Sequence, residues 1–254
     1  MPEPSVHNEP KPVRGATPEG AGDPESAARA VREMFTSIAP RYDLLNHLLS
    51  ANVDKLWWRR TARTFKPTLS RPSVRVLDLC CGTGDMAFAL RREAATAQIT
   101  GADFSHAMLQ LAWAKSNSEP RLTWVEADAL RLPFADETFD LITSAFGFRN
   151  LADYDRGLEE IRRVLKPRGE CGILEFSEPS GLLGNFYNVY FKHVLPRLGN
   201  LISGNPSAYS YLPASVRRFP DPPEMLKRME NAGFRDVSWS AYTFGIAGLF
   251  RARR

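Results

Sequence analysis

Val74-Arg75-Val76-Leu77-Asp78-Leu79-Cys80-Cys81-Gly82-Thr83-Gly84-Asp85 is the segment from which the architecture of this chain can be read. It has the pattern of a short buried strand, apolar and β-branched, that ends in a glycine turn and enters a helix over residues 86–92. Such strands sit in the middle of parallel sheets. Gly82 and Gly84 remove side chains where the backbone turns, so a ligand can approach the main chain. The helix N-terminus behind them offers unpaired N–H groups. Together these features predict a nucleotide-type site at the carboxyl end of a strand.

The acids in the segment select among nucleotide ligands. A dinucleotide fingerprint sets a pyrophosphate on this kind of turn. Here Asp78 lies at the strand end and Asp85 opens the helix, and two carboxylates repel a pyrophosphate. They suit a cationic group, such as the ammonium of an aminoacyl moiety. The form D-L-x-x-G-T-G-D resembles motif I of the S-adenosylmethionine-dependent methyltransferases.

Downstream, strands and helices alternate. Residues 98–103 read as a second strand and 105–115 as its helix, with Ser105 the N-cap. Residues 122–127 and 139–146 follow as the third and fourth strands. A helix over 153–165 runs into Lys166-Pro167-Arg168-Gly169, a stop and turn, and 171–176 form the fifth strand. This alternation predicts an α/β fold with a doubly wound, mostly parallel sheet. Residues 179–220 interrupt it. Phe186, Tyr187, Tyr190, Phe191 and Val194 lie at helical spacing, and Pro196, Pro206 and Pro213 punctuate the remainder of the segment. A helix over 223–232, stopped by Gly233, and strands over 235–242 and 246–252 close the chain and bring the sheet to seven strands. The aromatic stripe suits core packing and ligand cover alike; in an insertion after the fifth strand it lies near the strands' carboxyl ends, where ligands bind. Residues 179–220 are therefore expected as a helical substrate-covering insertion.

Upstream, residues 1–24 hold six prolines and almost no apolar residues, the composition of a disordered tail. Residues 25–254 are then a single domain in which 25–67 form an N-terminal helical cap. One cap helix, over 55–65, sets Trp57 and Trp58 beside Arg59, Arg60 and Arg63. That face fits a membrane surface, or packing against the sheet with a basic side outward. The net charge of +4 over 254 residues is too diffuse to argue for nucleic acid by itself. Cys80, Cys81 and Cys171 have no zinc spacing and suit small buried hydrophobes in a reducing cytoplasm. No apolar run reaches transmembrane length, and no signal-peptide core opens the chain.

Two further acids complete the candidate cofactor site. Asp103 ends the second strand about 20 residues after the glycine turn, the position of a ribose-binding carboxylate. An ionised carboxylate accepts two hydroxyl hydrogen bonds at once. The competing reading is a capping acid for the next helix. Asp128, in Glu126-Ala127-Asp128-Ala129, can accept from an adenine amino group while a backbone N–H meets the ring, or it is a turn residue.

Longer matches name a family. Phe35-Thr36-Ser37-Ile38-Ala39-Pro40-Arg41-Tyr42-Asp43-Leu44-Leu45-Asn46 resembles the signature F-x-x-V/I-A-x-K/R-Y-D-x-L/M-N. Phe139-Asp140-Leu141-Ile142-Thr143-Ser144-Ala145-Phe146-Gly147-Phe148-Arg149-Asn150 is similar to F-D-x-I-T-x-x-F-G-x-R-N. The segments 163–167, 174–177 and 193–197 match as well. These belong to the UbiE/MenG/COQ5 family of quinone-biosynthesis C-methyltransferases, and the resemblance covers residues from about 25 to the end. It implies a Rossmann-like class I methyltransferase fold, with S-adenosyl-L-methionine as co-substrate and no metal, since the methyl is already activated. The family's cofactor contacts fall on Thr83, Asp103, Asp128 and Ala129, beside Asp78, Gly82 and Gly84. Two positions depart from the family pattern. Ala145 replaces a common Ser, and Cys81 replaces a common Gly and narrows the turn.

The resemblance implies methyl transfer to a ring carbon of demethylmenaquinol, a prenylated 1,4-naphthoquinol. A methoxy-benzoquinol of ubiquinone biosynthesis is the alternative within the family. Ring attack needs a phenolate, and Arg149 is the first candidate to stabilise it. Tyr42 and Asp43 are candidates to position the substrate or relay its proton, with His193 a further one. A prenylated substrate implies peripheral contact with a membrane surface, at the inner face of the plasma membrane for a cytoplasmic enzyme. A homodimer is left open, and no nucleic-acid partner is expected. Outside the family, a nucleic-acid methyltransferase would use the same cofactor domain, and Asn205-Pro206-Ser207-Ala208-Tyr209 superficially resembles that class's N-P-P-Y motif. It is in the wrong place, since the fourth strand ends in Phe146-Gly147-Phe148-Arg149. A non-catalytic cofactor-binding subunit is the remaining class, which Asp78, Asp103 and Arg149 oppose.

Overall fold

The computed structural model describes residues 15, 16, 18, 21–39, 52–94, 96–117, 119–179 and 206–254. Tyr42, Asp43, His193 and the aromatic stripe over 186–191 lie outside them. The chain opens with α1 (Pro24–Ile38), α2 (Val53–Thr64) and the short α3 (Lys66–Leu69). β1 (Arg75–Leu79) and α4 (Asp85–Glu93) come next, then β2 (Gln98–Asp103), α5 (His106–Lys115), β3 (Leu122–Glu126) and β4 (Phe139–Ala145). α6 (Tyr154–Val164) runs directly into β5 (Leu165–Phe176). α7 (Pro206–Arg218) lies within the 179–220 segment, and α8 (Pro222–Asn231), β6 (Arg235–Tyr242) and β7 (Ala247–Arg253) follow it.

The seven strands form one sheet in the order β3-β2-β1-β4-β5-β7-β6. β1 pairs in parallel with β2 and β4, while β7 runs antiparallel between β5 and β6. From β1 the chain steps outward to β2 and β3, then returns across β1 to β4. That reversal opens a crevice beyond the carboxyl ends of β1 and β4.

The pleat sorts side chains between two cores. Leu77, Ile142 and Ile173 point into a core roofed by Leu158 and Ile161 of α6 and Met225 and Met229 of α8. Val76, Leu141 and Leu174, their neighbours along the strands, point into the opposite core with Ala62 of α2 and Leu90 of α4. α6 buries Tyr154, Leu158, Ile161 and Val164, one helical face, and Asp153 caps its start by accepting from the Arg156 amide. Gly233, with φ 85°, ends the segment after α8, as expected of a helix stop.

Several local expectations need correction. Lys166-Pro167-Arg168-Gly169 is no turn between elements: it is an irregularity inside β5, where the register on β4 shifts from Phe139↔Leu165 to Leu141↔Glu170. The pairing resumes on both sides, so strand geometry absorbs the Pro and the left-handed Arg168 (φ 64°) as a bulge. Pro213 lies inside α7 rather than ending it. Ser105 is at the N-cap position of α5, but its side chain makes no capping bond; its hydroxyl lies 3.3 Å from that of Thr36 in α1. Within the segment read as a tail, the Ala16 amide donates to the Leu151 carbonyl at 2.7 Å and the Ala16 side chain is buried.

Candidate active site

A cavity of about 500 Å³ opens at the carboxyl ends of β1, β2 and β4. Asp78, Gly82, Thr83, Asp103, Asp128, Ala129 and Arg149 all line it. Gly84 does not. It sits behind the turn as the N-cap of α4 with φ 89°, and a Cβ there would meet the Trp124 indole at 2.6 Å.

Sheet register explains the first acid. Asp78 pairs with Thr143 on β4, and the Thr143 hydroxyl donates to Asp78 Oδ1 at 3.0 Å. Oδ2 is buried without a hydrogen bond of good geometry. Burial pushes this carboxyl up to about 7; the Thr143 hydroxyl and the Ala87 amide offset part of that. Asp103 Oδ2 accepts from the Gly82 amide at 2.8 Å, and Oδ1 accepts from the Ser105 amide at 2.9 Å. The second bond is the capping role weighed against ribose binding; the first ties the acid to the glycine turn. Burial raises Asp103 to about 6, against the pull of the Ser105 and Gly82 amides. Asp128 is exposed and accepts from the Leu130 amide at 2.9 Å, so it is a turn residue that also faces the cavity. The Lys115 ammonium donates to the Thr83 hydroxyl at 2.9 Å.

These features fit an aminoacyl nucleoside. A lone buried carboxylate oxygen needs a donor such as an ammonium. The left-handed backbone at Cys80 and Gly82 brings main chain rather than side chains to the cavity wall. None of the three cysteines is in a disulfide, and burial holds the Cys80 and Cys81 thiols well above their ordinary range.

The other end of the cavity is aromatic. The rings of Trp57, Phe146 and Phe176 cluster, with Phe146 and Phe176 centroids 4.4 Å apart and Trp57 5.6 Å from Phe146. Trp57 was a candidate for membrane contact from the sequence. It is buried, and its indole N–H donates to the Thr243 hydroxyl at 2.8 Å, so it cannot anchor in lipid. Its neighbour Trp58 is half-buried and lines the same cavity.

Arg149 lies on a 3₁₀ turn (Phe148–Asn150) beyond β4, not at the strand end itself. Its guanidinium is buried 5.4 Å over the Phe176 ring. Glu175 on β5 takes a bond from its Nη1 at 3.1 Å and from its amide at 3.1 Å, Ser215 of α7 takes one from Nε at 3.3 Å, and Nη1 also donates to the Phe146 carbonyl. Glu175 is fully buried, and desolvation raises its carboxyl although Arg149 opposes this. Sequence reading gave Glu175 no role. The available signal was an acid inside the apolar run Ile173-Leu174-Glu175-Phe176. Tyr211 and Asn150, bonded at 3.2 Å on the cavity wall, were also missed.

Comparison with known proteins agrees with this geometry. The model of the ubiE/COQ5 methyltransferase family matches residues 24–254. A demethylmenaquinone methyltransferase of Deinococcus radiodurans is 49% identical over 231 residues, covering 90% of this chain and 94% of its own. A ubiquinone/menaquinone biosynthesis C-methyltransferase of Geobacter sulfurreducens is 43% identical, covering 88% of each chain. Among solved structures, an S-adenosylmethionine-dependent methyltransferase of Thermotoga maritima superposes with a TM-score of 0.60 at 18% identity, over 87% of this chain and 98% of its own. The fold is the Rossmann-like class I methyltransferase fold, and from the match over nearly its whole length the chain belongs to the ubiE/COQ5 methyltransferase family.

Proposed function

We propose that the protein transfers a methyl group from S-adenosylmethionine to a ring carbon of demethylmenaquinol, giving menaquinol. One observation carries the reading: a single cavity has an acidic, glycine-walled end and an aromatic end, with Arg149 packed against the aromatic end. The names of the relatives support a quinone, and the Deinococcus relative's name specifies the naphthoquinone. When bound, S-adenosylmethionine supplies a methyl on a sulfonium that needs no metal for activation.

The chain's own residues do the rest. Asp78 Oδ2 accepts from the ammonium of the aminoacyl group, and Asp103, already oriented by the Gly82 and Ser105 amides, accepts from ribose hydroxyls. Asp128 and Ala129 meet the adenine, Gly82 and Thr83 keep the wall open, and Gly84 shapes the turn from behind. Trp57, Phe146 and Phe176 hold the flat ring and exclude water from it. A phenol titrates near pH 10, so the site must favour the phenolate. Arg149 does this as an oriented donor, since Glu175 offsets its charge and fixes its direction. Tyr42 and Asp43 are the proposed proton relay. The prenyl tail calls for peripheral contact with a bilayer, as no helix among the described residues is long and apolar enough to cross one.

The second reading, a methoxy-benzoquinol substrate, has the support of the Geobacter relative's name, which covers both quinones. Purified protein with methyl-labelled cofactor should label demethylmenaquinol far faster than the benzoquinol. The reverse preference would replace the first reading by the second, and label in neither would remove both.

A further inference from the structure

β6 and β7 are joined by a turn that breaks a local rule. The Ile246 amide donates to the Thr243 carbonyl at 3.2 Å, closing a turn with Phe244 and Gly245 at its centre. Their φ angles are 57° and 87°, and Thr243 has φ 44°. Turns with two left-handed central residues favour Asn-Gly, and a bulky residue there is an outlier. Phe244 gains no packing in return, since it is 79% exposed. Leu56, on α2, is 62% exposed. Backbone strain combined with exposed apolar side chains marks a segment kept for something other than the core.

Each of the two has a chain neighbour on the cavity wall. Trp57, next to Leu56, and Thr243, next to Phe244, both line the cavity and are bonded to each other. Exposed basic side chains accompany them: Lys55, Arg59 and Arg60 of α2, with Arg60 4.0 Å over the Tyr242 ring at the end of β6, while Arg63 is ion-paired with Glu93 of α4 at 3.2 Å. We propose that the Phe244 turn and the outer face of α2 form the membrane-docking surface. Phe244 and Leu56 enter the headgroup layer of an anionic bilayer, the basic residues meet lipid phosphates, and the cavity mouth faces the membrane for quinol entry. This rests on the reading that the substrate is a prenylated quinol. Charge favours a lipid surface over a second copy of the chain, which would bring two basic faces together.

Sedimentation of the full chain with phosphatidylglycerol vesicles tests it. Wild type should bind them at low salt, release them at high salt, and bind phosphatidylcholine vesicles far less. Phe244→Asn preserves the turn, because Asn tolerates a left-handed backbone. The variant should keep or raise the thermal midpoint, bind anionic vesicles about tenfold more weakly, and methylate long-chain quinol in vesicles more slowly. Its rate on a short-chain, water-soluble demethylmenaquinol should equal that of wild type. Vesicle binding unchanged in Phe244→Asn overturns the docking surface. So does light scattering that shows a wild-type dimer dispersed by the substitution, which would make this face a contact between copies. Wild type that binds vesicles but leaves the short-chain quinol unmethylated overturns the substrate reading, and with it the quinol-entry role of this surface.

Discussion

Asp103 is both the proposed ribose ligand and a desolvated acid. It is buried, engaged by two amides, and raised to about 6. Asp103→Ala should weaken S-adenosylmethionine binding by about 1.5–3 kcal/mol, the range for hydrogen bonds to a charged group. Calorimetry giving unchanged affinity would take Asp103 out of the site. Only the ionised carboxylate accepts two hydroxyl bonds. Below pH 6 the free protein must therefore lose a proton to bind, and affinity should fall by up to about tenfold per pH unit. Asp103→Asn should remove its share of that dependence and leave the share that Asp78, raised to about 7, contributes. Arg149 makes a different prediction. Its truncation to Ala should slow methyl transfer far more than it weakens cofactor binding, in single-turnover and calorimetric measurements side by side. Equal losses would make it a structural partner of Glu175 only. Asp78 and Asp103 were legible because their spacing around a glycine turn is a short-range pattern. Glu175 was not, because its meaning depends on Arg149, 26 residues earlier and on another element.

The glycine turn shows what an element can and cannot reveal about itself. Gly82 and Gly84 read correctly as a turn at a strand end, and both have positive φ. The reason Gly84 must stay small is not local, because the Trp124 indole of β3 packs over it. Gly84→Ala should cost about 1–2 kcal/mol from the left-handed backbone alone, with the displaced indole adding to it. Urea denaturation measures this, and an unchanged midpoint would mean the turn relaxes freely. β5 gives the converse case. Lys-Pro-Arg-Gly has the composition of a turn, yet ladder pairing on either side draws it into the strand as an irregularity. Tertiary pairing outweighed local propensity there.

For the whole molecule, the buried acids set a pH dependence opposite to that of a salt-bridged surface. Asp78 titrates at about 7 and Asp103 at about 6 in the folded state, against 3.8 for an ordinary aspartate. Between about pH 4 and 7 the folded chain holds protons that the unfolded chain has released. Stability of the ligand-free protein should therefore fall as pH rises through this window, by at most about 1.4 kcal/mol per pH unit for each acid. Glu160, held below its usual range by Arg163, works the other way, and its contribution is lost as pH falls. Urea midpoints across this window should show the decline, and Asp78→Asn should flatten it. A rise in stability for wild type over the same window would mean these carboxyls are not desolvated. Saturating cofactor should reduce the decline, since its ammonium and ribose hydroxyls donate to the two acids and favour their ionised forms.

Strand and helix periods, the strand–turn–helix at Asp78 and the signatures around Arg149 are local patterns. They determined the doubly wound fold, the family and the acidic half of the cavity without help from the structure. Only the tertiary arrangement decided what faces what. It turned Trp57 from a candidate lipid anchor into a cavity wall, paired Arg149 with Glu175, and left Phe244 exposed beside Thr243 of the cavity wall. Backbone patterning is written in neighbours a few residues apart. Which side chain loses its water, and which keeps it, depends on elements far apart in the chain meeting across the sheet.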